Sequence, residues 1–339
     1  MKILTRNRLI KKSMLLMIAA MLILVTACGN GEDENANPTI RLADGTWDSV
    51  KFHTAVAQFI IENGYDHPTR LIPGSTPAIL TGIENGDIDV YMENWTDNLG
   101  EQYPEMIEKG DMIELGVNFD DNAQGWYVPT YVIEGDAERN IEPIAPDLKS
   151  VSDLPKYWEI FKDPEDPSKG RIYGGIAGWE VDETLSVKME TFELNETYNY
   201  FRPGSEAALN TSLVSAHEKG EPWVGYNWEP TWVSGKYEMT LLEEPEYTEE
   251  RWANGFASAF PANTCTVNAH KDLPDKAPEV TEFLSNYQTN STLISEALAQ
   301  MEENDLSINQ VATWFLQEHE DVWISWVPQD VADKVKAAL

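Results

Sequence analysis

Four tryptophans stand among polar residues at the ends of predicted strands, where a large ring buries little unless something covers it. Trp47 follows the stretch 39–43, and Trp95 sits in Glu93-Asn-Trp-Thr-Asp-Asn98. Trp179 follows the glycine run Gly174-Gly-Ile-Ala-Gly178, and Trp228 follows the stretch 222–227. Indole rings arranged as a box attract a quaternary ammonium ion through their electron-rich faces, with no hydrogen bond required. Each such contact contributes about 0.5–2 kcal/mol once water is excluded. A sugar ring stacked on tryptophan beside carboxylates is the second chemistry this composition allows. The chain has 12 tryptophans, and the others are not alike. Trp158, Trp252, Trp314, Trp323 and Trp326 sit where core packing is the better reading.

Three carboxylates flank the box. Glu93, Glu180 and Glu229 each lie within two residues of Trp95, Trp179 or Trp228. Facing a ligand, they favour one with net positive charge or a hydroxyl; facing outward, they are ordinary surface charge. Backbone N–H groups after Gly178 can instead receive a carboxylate. Enzyme chemistry has no comparable signal. GxSxG, HExxH, Walker A and GxGxxG sequences are absent, and the five histidines are scattered without metal-ligand spacing. A glycosidase carboxylate pair needs a separation that sequence does not give. No catalytic residue, cofactor or metal is expected.

These side chains must be held by the elements around them. Thr39–Asp44 reads as a strand, Ser49–Asn63 as a helix through Val50, Val56, Phe59, Ile60 and Ile61, and Thr69–Pro73 as a strand. Ser75 caps a helix to Glu84, and Ile88–Met92 is a third strand. This alternation implies a mostly parallel sheet with helices on both faces, binding ligands beyond the carboxyl ends of its strands. Residues 134–170 are rich in proline and acid and read as a surface excursion with a short helix near Leu154–Phe161. A helix from Asp182 to about Leu194, a strand over 222–227 and helices over 277–285, 293–301 and 307–318 complete the pattern.

The composition narrows the setting. At 339 residues and 42% hydrophobic, the chain suits two folded domains. A net charge of −34 disfavours nucleic acid and anionic lipid as partners. It suits a saline exterior, and equally the acidic surfaces common among exported proteins. Residues 1–27 depart from this balance. Lys2, Arg6, Arg8, Lys11 and Lys12 precede the apolar run Met14–Ala27, which is too short to span a bilayer and reads as a secretory leader. Val25-Thr-Ala-Cys28 resembles the bacterial lipobox, making Cys28 the expected lipidated first residue of the mature protein. Residues 28–38 form a polar tether. Cys265 is then left without a partner, as a small buried residue of a strand-like stretch.

Gly86-Asp-Ile-Asp-Val-Tyr-Met-Glu-Asn-Trp95, Gly178-Trp179 and Tyr226-Asn-Trp-Glu-Pro-Thr-Trp232 occur in that order. So do Gly125-Trp-Tyr-Val-Pro-Thr-Tyr131 and the C-terminal helices with Trp314 and Trp323. Together they resemble the glycine betaine/proline betaine substrate-binding proteins of ABC importers over nearly all of 39–330. The resemblance implies an α/β fold of two lobes of the periplasmic-binding-protein type (type II), with two mixed sheets flanked by helices and a hinge. It implies lobe one over 39–130 and 260–339, and lobe two over 131–259. It further implies a cage of Trp95, Trp179 and Trp228, with Trp47 and Tyr127 as additional walls, and a membrane permease as partner. The ligand implied is glycine betaine or a related methylated ammonium, with choline, carnitine or trimethylamine N-oxide as alternatives. A sugar receptor or a secreted hydrolase is a more distant reading. Two departures stand out. The cysteines that flank the glycine–tryptophan segment in some members are missing. Thr96-Asp-Asn98 also lacks the histidine that helps hold a ligand carboxylate in some of them.

Overall fold

The computed structural model describes residues 37–261 and 263–339. The leader, Cys28 and most of the tether lie outside them. Among the described residues, no helix is long and apolar enough to cross a membrane.

Strands β1 (Ile40–Asp44), β2 (Thr69–Pro73) and β3 (Val90–Trp95) pair in parallel, as the alternation of periods predicts. Strand β4 (Met112–Phe119) joins them only through β10 (Cys265–His270), which runs antiparallel between β3 and β4. The order is β2-β1-β3-β10-β4. Both faces are covered, so β3 and β10 are buried almost end to end, as expected for central strands of a two-sided sheet.

The helix Asp48–Gly64 crosses from β1 to β2 and buries Val50, Phe52, Val56, Ile60 and Ile61. Trp47 occupies its N-cap position with extended backbone and gives no side-chain cap. The first N–H groups of this helix therefore need acceptors from elsewhere. Helices Ile308–Glu318 and Gln329–Ala338 cover its outer side, with Phe52 edge-on to Phe315 at 5.3 Å.

The second sheet has the order β7-β6-β8-β5-β9. It comprises β5 (Gln124–Pro129), β6 (Gly170–Tyr173), β7 (Tyr198–Phe201), β8 (Gly225–Trp228) and β9 (Met239–Leu241). Strand β6 runs parallel to β7 and β8, while β5 runs antiparallel to β8 and β9. The chain thus passes from the first sheet to the second after Phe119 and returns before Cys265. Helix Ser291–Glu303, which follows the return, packs on the short helix Trp232–Lys236. A Cβ on Gly235 would lie 2.9 Å from the Ser295 carbonyl oxygen, so only glycine permits this approach.

The helix Glu180–Thr191 is fixed to the segment that follows β9 by an ion pair removed from water. Lys188 Nζ lies 2.6 Å from Glu244 Oε1, with their side chains 0% and 3% exposed. The ammonium also donates to the Ser258 carbonyl and faces the rings of Phe260, Phe192 and Trp252. Burial pulls the lysine down and pushes the glutamate up; their proximity opposes both shifts.

The expected packing tryptophans divide in two. Trp323 and Trp326 are buried, whereas Trp158, Trp252 and Trp314 are half-buried against the core. Strands β4 and β7 and the helices Glu206–Lys219 and Gln329–Ala338 were not anticipated from the sequence. Trp95 and Trp228 terminate their strands rather than follow them.

Candidate functional site

The four loop-end tryptophans converge on one cavity. Trp47 and Trp95 come from the carboxyl ends of β1 and β3, and Trp179 and Trp228 from those of β6 and β8. Tyr91, Thr76, Asn98, Leu99, Val181 and Tyr226 complete the lining with Glu180, and about 440 Å³ lies between these walls, part of it open to solvent. Trp179 holds the centre. Its ring meets Trp47 edge-on at 5.9 Å and Trp228 edge-on at 5.0 Å, while Trp228 stacks on Tyr226 at 5.4 Å and 20°. Offset and edge-on pairs are the geometries that aromatic quadrupoles favour.

Each ring is placed by its local backbone. Gly178 has φ of 94°, a region glycine enters freely, and this turn delivers Trp179 to the N-cap of helix Glu180–Thr191. Trp179 Nε1 then donates to Thr46 Oγ1 at 2.9 Å, bridging the two sheets. Trp228 and Tyr226 are two apart on β8 and therefore share a face. Strand β5 pairs Tyr226 with Trp126 and Gly225 with Tyr127. That parity turns Tyr127 to the opposite face, and it does not line the cavity. Gly178 itself does not line the cavity either; it sets the turn.

The three flanking glutamates have different positions. Glu180 lines the cavity, and burial, then Glu183, raises its carboxyl above the usual range. Glu229 lies outside the cavity, in a groove with Asp121 and Ser291. Glu93 is behind the box and fully buried. Its Oε1 accepts from Trp47 Nε1 at 2.9 Å, Trp95 Nε1 at 2.8 Å and Ser49 Oγ at 2.9 Å. Among the described residues, no Lys, Arg or His lines the cavity. Its remaining polar groups are neutral. Asn98 Oδ1 accepts from Gln124 Nε2 at 3.1 Å and Asn263 Nδ2 at 3.3 Å, so its NH₂ remains as a donor.

Tyr91 and Tyr226 were missed from the sequence. Tyr226 carried a signal, lying two residues before Trp228 on the same strand, whereas Tyr91 did not, because the register of β3 against β10 shifts between Tyr91 and Trp95. Cys265 is fully buried, and burial pushes its thiol well up, which suits packing and not nucleophilic attack.

A second bridge spans the cleft. Glu206, buried in the first turn of helix Glu206–Lys219, accepts from the Asp48 backbone N–H at 2.8 Å through Oε2. It supplies the acceptor that the start of helix Asp48–Gly64 lacks. Burial, then Asp48, holds the Glu206 carboxyl well above the usual range. A helix cap contributes about 1 kcal/mol. Glu206→Ala is therefore expected to weaken ligand affinity about fivefold through easier opening, with small-angle scattering showing a larger ligand-free radius of gyration.

The fold and the cleft define a two-lobed solute-binding protein. The chain belongs to the family described as the substrate binding domain of the ABC-type glycine betaine transport system, which it matches over residues 38–318. This is a family of transport receptors, not enzymes. The chain is 22% identical over 317 residues to the trimethylamine N-oxide-binding protein of Pelagibacter ubique, covering 92% of this chain and 98% of that one. It is 26% identical over 271 residues to the glycine betaine/proline betaine-binding periplasmic protein of Salmonella typhimurium, covering 76% and 77%. Among solved structures, a choline-binding protein of an ABC transporter in complex with choline superposes with a TM-score of 0.70 at 21% identity, covering 88% of this chain and 97% of that one. Lactococcal OpuAC, in a closed conformation with glycine betaine, superposes with a TM-score of 0.68 at 16% identity, covering 86% and 100%.

Proposed function

We propose that this protein is the extracytoplasmic receptor of an ABC importer, anchored by lipid at Cys28 to the outer face of the cytoplasmic membrane. It captures glycine betaine or a related methylated ammonium solute. In place of a boundary at 130, the lobes proposed are 39–123 with 260–339, and 124–259, because β5 pairs in the second sheet. The observation that carries the ligand class is the box itself: four indoles from both sheets, with Trp179 in ring contact with Trp47 and Trp228, around a cavity with no basic side chain among the described residues. Closure strips water from the cation and strengthens each contact with a ring face. A ligand that binds the closed form better shifts the lobes toward it, and the closed form is what the permease engages. Three such contacts and a few hydrogen bonds give roughly micromolar affinity, about 8 kcal/mol.

Glu180 favours a second ligand within the same class. A carboxylate at the rim with no basic neighbour suits the hydroxyl of choline; when protonated, it can donate to an N-oxide oxygen. It suits the carboxylate of betaine or carnitine less well.

The test is intrinsic tryptophan fluorescence of residues 29–339, titrated with glycine betaine, proline betaine, choline, carnitine, trimethylamine N-oxide and maltose. A saturable response to one or more methylated ammonium compounds supports the proposal, and a response to maltose alone overturns it. Turnover of a chromogenic glycoside would favour the hydrolase. In the same assay Trp228→Ala is expected to weaken binding at least tenfold with the fold intact, since one wall contact is worth about 1.4 kcal/mol or more. Unchanged affinity in calorimetry would remove Trp228 from the box.

A further inference from the structure

We infer that Glu93 is the counter-charge of the box, a positioning residue that aims the Trp47 and Trp95 rings and biases the site toward ligands with net positive charge. The inference rests on the methylated-ammonium reading of the cavity. Three observations carry it.

First, the geometry is convergent. One oxygen of one buried carboxylate takes the indole N–H of two box tryptophans from different elements, together with the Ser49 hydroxyl. Both rings are thereby fixed in orientation by a single atom. Second, the bond has an electronic consequence. An indole N–H that donates to an anion pushes electron density onto its ring, which strengthens the attraction of the ring face for a cation. Third, the charge has no competing cation. Glu93 Oε2 lacks a hydrogen-bond partner among the described residues, and the nearest basic group is His53 Nε2 at 3.8 Å. Burial lowers that imidazole to about 3, so it is neutral at physiological pH. Its Nδ1 is engaged with the Tyr287 hydroxyl at 2.9 Å.

The same arrangement makes uptake sensitive to pH. Burial pushes the Glu93 carboxyl up to about 7, against the lowering effect of Trp47, Trp95 and Ser49. Its other titratable surroundings are Tyr91 on its own strand, Cys265 from β10, Tyr287 beyond His53 and Glu206 from across the cleft. Burial pushes the phenols and the thiol up and keeps them uncharged near neutrality. Glu206 is likewise raised and, where ionised, opposes ionisation of Glu93. A cation in the box favours the Glu93 anion. Binding then releases a proton from the protonated fraction, and affinity rises as pH increases through about 7. A zwitterion gains less, because its own carboxylate is repelled.

The test compares the protein with Glu93→Gln by calorimetry, using choline and glycine betaine between pH 6 and pH 8 in buffers of different ionisation enthalpy. Glutamine keeps an acceptor oxygen for the indoles and removes the charge. Choline affinity at pH 8 is expected to fall at least tenfold, betaine affinity to fall less, and proton release to vanish. Equal choline affinity and an identical pH profile in the variant would overturn the inference and leave Glu93 as a mechanical support. Should the Glu93 variant not fold, Glu180→Gln decides, because Glu180 is the other raised carboxyl facing the cavity. Choline affinity that still rises with pH and still accompanies proton release in that variant supports the inference, and a flat profile without release assigns both effects to Glu180 and refutes it. Failure of the unaltered protein to bind any methylated ammonium compound would remove the ligand reading itself, a result distinct from a variant that binds normally.

Discussion

Trp179→Ala is expected to weaken binding of the methylated ammonium ligand about fiftyfold or more, a larger loss than any other single wall produces. Trp179 touches both neighbouring indoles, Trp47 at 5.9 Å and Trp228 at 5.0 Å, and its N–H reaches Thr46 on the first sheet. Truncation therefore removes one cation contact of up to about 2 kcal/mol and two aromatic pairs of about 0.5–1.5 kcal/mol each. The Trp47 pair acts across the cleft, so its loss falls on the closed form, whereas the Trp228 pair holds the ring in place within the second sheet. Trp179→Phe keeps a ring but not the N–H and is expected to lose about fivefold. Trp179 is half-buried, so the melting temperature should change little in either variant. Calorimetry with choline and glycine betaine decides the point. Affinity within threefold of the parent would mean that Trp179 is a lid outside the binding surface.

The second large effect is on stability. Glu244→Ala is expected to destabilise the fold by about 3–5 kcal/mol and lower the melting temperature by roughly 10 °C. The size comes from what remains. Lys188, 0% exposed, keeps its charge beside three ring faces and one carbonyl but loses its only carboxylate among the described residues. Replacing both partners by apolar residues of similar volume, Lys188→Met with Glu244→Leu, should recover most of the loss, because the penalty lies in the unpaired charge. Lys188 is on the helix that begins beside Trp179. The single variant is therefore also expected to bind ligand more weakly than its melting temperature alone would explain. Differential scanning calorimetry on the three variants tests this; a single variant that melts with the parent would show that water reaches Lys188.

The first three strands and the two intervening helices were legible because two periods alternate cleanly there. Ile40 and Leu42 repeat at two, and Val50, Val56 and Ile60 follow the helical face. Helix Glu206–Lys219 was not legible. Its inward positions include Glu206 and Asn210 beside Leu209 and Leu213, so polar and apolar residues share the buried side and the periodic signal fades. The Glu206 bridge was hidden with it. The four box tryptophans were readable as rings in places that waste them. The parity of Tyr127 was not, because it depends on which β8 residue β5 pairs with. Glu93 shows the limit most clearly. Its position beside Trp95 drew attention to its charge, but its bond to Trp47 joins residues 46 apart and exists only once β1 and β3 are neighbours.

The insertion of β10 between β3 and β4 has a consequence for the order in which the molecule assembles. All five strands of the second sheet lie in one continuous stretch, Gln124 to Leu241, so that sheet can complete itself from local chain. The first sheet cannot. As the chain emerges from its amino end, β1, β2, β3 and β4 are present early, but a gap one strand wide separates β3 from β4. The strand that fills it arrives last, and its pairings are remote: Asn94 bonds to Asn268, 174 residues away. Such non-local closure is slow, and until it happens the facing edges of β3 and β4 stay unpaired. The lobe that supplies Trp47 and Trp95 is thus the later one to mature, and it is the lobe most exposed to mispairing while the chain is incomplete.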